Sequence, residues 1–75
     1  MQATDYFRRV VQPKRPYATD DVVMAILAAP LRRERQDDGR WRCWGAVPGG
    51  RFMRVVTEAD GKTVHNAFFD RRFRP

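Results

Sequence analysis

The sequence predicts an α+β domain in which one or two short helices pack on a four-stranded antiparallel meander sheet. An apolar stretch with helical spacing ends at a proline near residue 30. After it come two pairs of β-type runs, and each pair is joined by an acidic turn that contains glycine. A chain of 75 residues forms one domain, so we expect residues 1–75 to share a single core.

Residues 1–18 are expected to form an N-terminal segment and a linker. The apolar residues of the run 4–12 fit a short helix, although the same run would also suit a strand. We favour the helix. Pro13 and Pro16 follow, and we expect the chain between them to lack regular hydrogen bonding, because proline has no backbone N–H.

The helix predicted over residues 19–29 has clear boundaries. Thr19 is a favourable N-cap, and Asp20 and Asp21 complement the helix dipole in the first turn. Pro30 ends the helix. Because so short a helix is unstable alone, its apolar face must pack on the sheet.

Residues 31–47 are predicted to form the first hairpin. We expect a three-residue loop at 37–39, which sets Glu34 opposite Arg42. A two-residue loop would instead set Arg35 opposite Arg42, and these like charges repel each other. The first register is therefore favoured.

The second strand of this hairpin places its two tryptophans on opposite faces of the sheet. Trp41 shares a face with Cys43, and Trp44 shares the other with Arg42. We expect one tryptophan in the core and the other either covered by the N-terminal segment or exposed. Cys43 is expected to be a small buried side chain.

The second hairpin is predicted over residues 51–69. A three-residue loop at 59–61 would set Glu58 opposite Lys62, a favourable pair of charges. A two-residue loop at Asp60-Gly61 is the alternative. With this hairpin the sheet spans residues 31–69.

Residues 70–75 form a strongly basic tail, in which Phe73 is placed to fold back onto the sheet. The net charge of the chain is +6. Residues 39–75 hold eight basic against three acidic residues, which indicates a polyanionic partner, nucleic acid first among them. The competing interpretation is an arginine-rich composition without function.

Other classes of protein fit the sequence poorly. The longest apolar run is too short to span a membrane, and no signal peptide is visible, so we expect a cytoplasmic protein without a membrane partner. One cysteine and one histidine do not make a usual zinc site. We therefore expect no metal and no cofactor.

The candidate catalytic residues are His65 and Arg54. His65 is the only side chain with an ordinary pKa near neutrality, and Arg54 can stabilise charge that develops on a phosphate. The candidate RNA-binding residues add basic groups, one amide and one aromatic ring for base stacking: Arg40, Arg42, Trp44, Arg51, Asn66, Arg71 and Arg72. Each of them is also compatible with a purely structural role.

Several short motifs also suggest a family. A helix ending in L-A-A-P, the turn D-D-G-R, the strand F-M-R-V-V and the strand V-H-N-A-F-F-D-R resemble small prokaryotic toxin-like proteins of the RelE/BrnT type over residues 19–72. The resemblance implies a metal-independent ribonuclease acting on free or ribosome-bound mRNA and neutralised by an antitoxin, here an acidic protein. It also points to Arg54 and His65 as the active face. Such toxins often use a C-terminal tyrosine, whereas this chain has only Tyr6 and Tyr17.

The first functional hypothesis is therefore a toxin-like component of a toxin–antitoxin system that cleaves mRNA without metal. Two alternatives need no catalysis. One is a small basic module that binds nucleic acid, and the other is an interaction protein that forms a homodimer or docks an acidic partner.

Overall fold

The computed structural model describes residues 1–75 and shows the predicted α+β fold, with short helices and a four-stranded antiparallel sheet in the meander order β1-β2-β3-β4. Helix α1 begins as a π-helical turn and continues as an α-helical one, and α2 is a regular α-helix. The elements are α1 (Phe7–Val11 and Gln12–Lys14), α2 (Asp20–Ala28), β1 (Arg32–Arg35), β2 (Trp41–Val47), β3 (Arg51–Thr57) and β4 (Val64–Phe69). No helix has the length and apolar character needed to cross a bilayer.

The helix expected in the N-terminal segment is present, and it runs further than expected. Thr4 Oγ1 accepts a hydrogen bond from the Phe7 N–H at its start. Pro13 lies within the final helical turn, and the Arg15 N–H donates to the Val11 carbonyl over 2.8 Å. The expectation that the segment after Pro13 lacks regular hydrogen bonding is therefore wrong. The proline stands at the start of that turn, where its missing N–H is tolerated.

Helix α2 forms as predicted and packs closely on the sheet. Thr19 Oγ1 accepts a hydrogen bond from the Val22 N–H and caps the helix. Its buried residues are Val23 and Ile26. A β-carbon added at Gly45 would lie 2.6 Å from Ile26 Cγ1, so glycine permits the close approach of α2 to β2.

The predicted register of the first hairpin is confirmed. Glu34 pairs with Arg42 across β1 and β2, and the Gln36 N–H donates to the Arg40 carbonyl over 2.7 Å. Gly39 closes the loop with a φ of +89°, a conformation that glycine adopts without strain.

The predicted loop of the second hairpin is wrong by one residue. The Glu58 N–H donates to the Thr63 carbonyl, so Glu58 lies opposite Thr63 and not opposite Lys62. The Asp60 carboxylate accepts hydrogen bonds from the N–H groups of Lys62 and Thr63 and from the Thr63 hydroxyl. These bonds stabilise a four-residue loop, and they outweigh the charge pair that the sequence favoured.

A β-bulge follows this loop. Val56 pairs with Asn66 and Thr57 pairs with Val64, which leaves His65 as the extra residue of β4. A bulge redirects the side chains next to it. Here it sets His65 and Asn66 between two residues whose side chains are fully buried, Val64 and Ala67.

The core lies between the helices and one face of the sheet. Its buried side chains come from every part of the fold except β1: Phe7, Val11, Ala18, Val23, Ile26, Cys43, Met53, Val55, Val64 and Ala67. The N-terminal residues also cover one edge of the sheet, because the Thr4 N–H donates to the Val64 carbonyl and the Val64 N–H donates to the Gln2 carbonyl.

The opposite face of the sheet, which we call the outer face, is partly covered by residues 70–75, which we call the tail. The Phe73 ring stacks on Trp44 with 5.1 Å between ring centroids, and each residue is only 4% exposed. Trp44 is therefore the buried tryptophan of the two, and the tail covers it; Trp41 on the other face is only partly buried. Phe73 folds back as predicted because its apolar ring gains burial there.

Candidate nucleic-acid interface

The two predicted catalytic residues do not contact each other. His65 Nδ1 lies 3.3 Å from Thr4 Oγ1 and 3.3 Å from Glu58 Oε1, and its ring stacks on Tyr6. Arg54 instead donates two hydrogen bonds to Asp70 Oδ2, over 3.1 and 2.9 Å. No hydrogen bond, ion pair or ring contact joins His65 to Arg54.

Three arginines on or beside the outer face are occupied by carboxylates. Arg42 donates to Glu34 over 2.9 Å, and Arg40 donates to Glu58 over 3.3 Å. Arg54 is paired with Asp70, as described above. A phosphate that bound any of these three guanidinium groups would have to displace a carboxylate.

Asp70 is the most heavily bonded of these carboxylates. It accepts hydrogen bonds from Trp44 Nε1 at 2.8 Å, from Arg54 and from the Arg72 N–H at 3.0 Å. The hydrogen bond from Trp44 is the largest cause that lowers the pKa of Asp70, and burial opposes it. Asp70 thus remains charged and ties the tail to β2 and β3.

Eight arginines have no carboxylate within 4.0 Å: Arg9, Arg15, Arg33, Arg35, Arg51, Arg71, Arg72 and Arg74. Four of them converge on one cleft of about 770 Å³. We call it the arginine cleft. Its cationic residues are Arg15, Arg51, Arg71 and Arg74.

Aromatic rings line the same cleft. Tyr17 stacks on Phe69 with a centroid distance of 3.9 Å and an interplanar angle of 9°. The Arg51 guanidinium lies 4.6 Å from the centre of the Phe69 ring. The remaining aromatic residues of the lining are Phe52, Phe68 and Phe73. The cleft therefore combines free guanidinium groups with flat apolar surfaces.

Arg15 is held in place by the edge of β4. Its Nη1 donates to Asn66 Oδ1 over 3.0 Å and to the Ala67 carbonyl over 3.4 Å. Asn66 was predicted to contact RNA, and in the structure it orients Arg15. The guanidinium also lies 5.8 Å from the Phe68 ring centre.

The structure divides the predicted RNA-binding residues among three places. Arg51 and Arg71 lie in the arginine cleft, and Arg72 lies beside Arg42 and Trp44 in a smaller cleft of the outer face. Arg40 lies near His65, since both contact Glu58 Oε1. Sequence reasoning missed these other charged and aromatic residues of the arginine cleft: Arg15, Tyr17, Phe68, Phe69, Phe73 and Arg74. The mixture of phenylalanine and arginine over residues 68–74 is the one sequence signal for the last four, and nothing in the sequence points to Arg15 or Tyr17.

No group of three or more His, Cys, Asp or Glu side chains lies close enough together to hold a metal ion. No protein-family model, no curated protein and no solved structure matches this chain.

Proposed function

We propose that this chain binds single-stranded RNA in the arginine cleft. The supporting observation is that four arginines without a carboxylate partner surround a set of aromatic rings. Phosphates supply the negative charge that such guanidinium groups lack, and unpaired bases can stack on aromatic side chains. A duplex hides its bases, so a single strand fits this lining better.

The expected affinity has an electrostatic and a stacking part. Each phosphate contact to a single strand lowers the logarithm of the binding constant by roughly 0.7 per tenfold rise in salt. Four contacts predict a slope of about −2.8. Each stacked base adds roughly 1–3 kcal/mol, which is insensitive to salt.

The test is a titration of a fluorescently labelled 12-nucleotide RNA with purified protein at several KCl concentrations, read by fluorescence anisotropy. Replacing Arg51 or Arg71 by alanine should weaken binding several-fold and make the salt slope less steep by about 0.7. The matched control is Arg9→Ala, because Arg9 is exposed, has no carboxylate partner and lies outside the cleft.

Equal losses in the Arg9 and the Arg51 variants would mean that only net charge matters, and the assignment to the cleft would fail. An RNA duplex of the same length serves as the competitor. Tighter binding of the duplex than of the single strand would contradict the stacking part of the proposal.

The second candidate function is that of the toxin-like, metal-independent endoribonuclease. One contact favours it: Glu58 Oε1 lies 3.3 Å from both Arg40 Nε and His65 Nδ1. A carboxylate on Nδ1 orients an imidazole so that Nε2 can accept a proton, here from the 2′-hydroxyl of RNA. In that role the chain would be neutralised by an acidic antitoxin in the cell.

The test of this second function is incubation with mixed RNA in EDTA, followed by mapping of the cleavage sites. Cleavage by the wild type that His65→Gln abolishes would support it. Arg54→Ala is included because Arg54 was predicted to be catalytic. Intact RNA in every sample, together with binding, would leave the chain as a binding module.

A further inference from the structure

The tail places an aromatic ring where a nucleobase would stack. The Phe73 ring lies nearly parallel to Trp44, with an interplanar angle of 13° and 5.1 Å between centroids. The Arg32 guanidinium lies 4.9 Å from the Phe73 ring centre, and the Phe52 ring meets Phe73 edge-on. A base bound to a single-stranded RNA-binding protein is often stacked on an aromatic ring in the same way, with an arginine beside it.

The tail also places an anionic group where a phosphate would bind. Asp70 Oδ2 accepts hydrogen bonds from Arg54 Nε at 3.1 Å and from Arg54 Nη2 at 2.9 Å. A phosphate oxygen makes charge-assisted contacts of this kind with arginine. The Arg54 guanidinium is itself flanked by the rings of Trp44 and Phe68, at 5.4 and 5.1 Å from their centres. The tail thus places an aromatic ring, Phe73, and an anionic group, Asp70, near each other, as a nucleotide does with its base and its phosphate.

We propose that Trp44 and Arg54 form a second nucleotide-binding position on the outer face of the sheet, which the tail fills in the manner of a ligand. The proposal rests on the RNA binding proposed above. Asp70, Phe73 and Arg74 line both the arginine cleft and the smaller outer-face cleft. When the tail swings away, Arg71, Phe73 and Arg74 leave the arginine cleft with it. The lining residues that stay, Arg15, Arg51 and the rings beside them, then join Trp44 and Arg54 in one basic, aromatic track for a single strand.

Few bonds hold the tail to the rest of the fold. Apart from the bonds of the Asp70 carboxylate, the Asp70 N–H donates to the Phe52 carbonyl, and Arg32 Nη2 donates to the Arg74 carbonyl. The tail contains no helix or strand. Phe73 and the Asp70 carboxylate are thus its main anchors, and an RNA must compete with these two groups.

If RNA competes with the tail, a variant whose tail is bound less firmly to the sheet should have a higher affinity for RNA. When the competent state is only partly populated, the apparent Kd equals the intrinsic Kd divided by the populated fraction. Phe73→Ala removes the stacked ring and raises that fraction, so the apparent Kd should fall severalfold even though one of the five rings of the arginine cleft is lost. Phe73→Leu is the matched control. Leucine still covers Trp44 with an apolar side chain, so this variant should gain less RNA affinity than Phe73→Ala does.

The experiment combines the anisotropy titration with photo-crosslinking of a 12-nucleotide RNA that carries 4-thiouridine. Crosslinked residues are identified by mass spectrometry, and circular dichroism checks that each variant is folded. We expect a crosslink at Trp44 in Phe73→Ala, together with the lower Kd. Unchanged affinity and no crosslink at Trp44 in the folded variant would overturn the second position.

The wild type provides a measurement that does not depend on the Phe73 substitution. Saturating RNA should displace Asp70, so the NMR signal of the Trp44 indole N–H, identified by its loss in Trp44→Phe, should shift. An unmoved signal under saturating RNA overturns the proposal, whether or not Phe73→Ala folds. Failure of the wild type and of Phe73→Ala to bind any RNA would instead refute the proposed function itself, so the two failures can be told apart.

Discussion

Asp70→Asn should destabilise the fold, because it removes the charge that joins the tail to β2 and β3. The asparagine oxygen can still accept a hydrogen bond from Trp44, which lies 2.8 Å from Asp70 in the wild type. Its uncharged amide cannot balance the guanidinium of Arg54, whose side chain is only 28% exposed. The substitution therefore removes the ion pair but keeps the shape of the side chain. The change in the free energy of unfolding then measures the contribution of the ion pair.

The expected loss is about 2 kcal/mol of the free energy of unfolding at pH 7. Hydrogen bonds to charged groups contribute roughly 1.5–3 kcal/mol each, and breaking a fully buried ion pair costs roughly 3–5 kcal/mol. We take a value near the lower end, since Arg54 keeps part of its hydration and asparagine keeps one acceptor. The urea midpoint should fall by about 1–2 M for a domain of this size.

The effect should depend on pH. The pKa of Asp70 is lowered in the folded state, so its contribution to stability is fully present above the unfolded pKa of about 3.9. That contribution is lost as the pH falls through the lower, folded pKa. The difference between wild type and Asp70→Asn should therefore shrink below about pH 4.

The assay is urea unfolding followed by tryptophan fluorescence, at pH 7 and in steps from about pH 5 to pH 2. The control is Asp37→Asn, because Asp37 is exposed and makes no ion pair. This control variant should change the free energy of unfolding by less than about 0.5 kcal/mol. Equal midpoints for wild type and Asp70→Asn at pH 7 would refute the reasoning. So would a difference that persists unchanged to pH 2.

Two further predictions concern Gly45 and Asp60. Gly45→Ala should destabilise the domain by about 1–3 kcal/mol in the same urea assay, because the new methyl group would lie 2.6 Å from Ile26 Cγ1. An unchanged urea midpoint would contradict the close packing of α2 on β2. The pKa of Asp60 is lowered to about 2, chiefly by the hydrogen bond from the Thr63 hydroxyl. Thr63→Val should raise this pKa in a carboxyl NMR titration and Thr63→Ser should not, whereas a rise in both variants would assign the effect to another group.

Local chemistry predicted much of the fold. The cap at Thr19 and the glycine of the first hairpin turn each act through neighbouring residues, and the structure confirms both. The second hairpin differs because the Asp60 side chain bonds three donors across its own loop. Such a network competes with pairing of charges across strands, and the sequence does not reveal which is stronger.

The candidate site was less predictable, because its residues come from three distant parts of the chain. Arg15 follows α1, Arg51 begins β3 and Arg71 belongs to the tail. The sequence shows thirteen arginines but not which of them meet a carboxylate in the fold. Arg42 and Arg54 were chosen because each places a positive charge on a strand, and both are ion-paired because acidic residues on neighbouring segments reach them.

The parallel bridge between Ala3 and Val64 has a consequence for the order in which this protein can fold. During synthesis α1 is made well before β4, the strand that holds residues 2–4. Phe7 and Val11 have no complete core to enter until then. So short a helix is unstable in isolation, and contacts between distant residues form slowly. A nascent chain interrupted before residue 64 would leave the apolar side chains of Phe7 and Val11 exposed to proteases and chaperones.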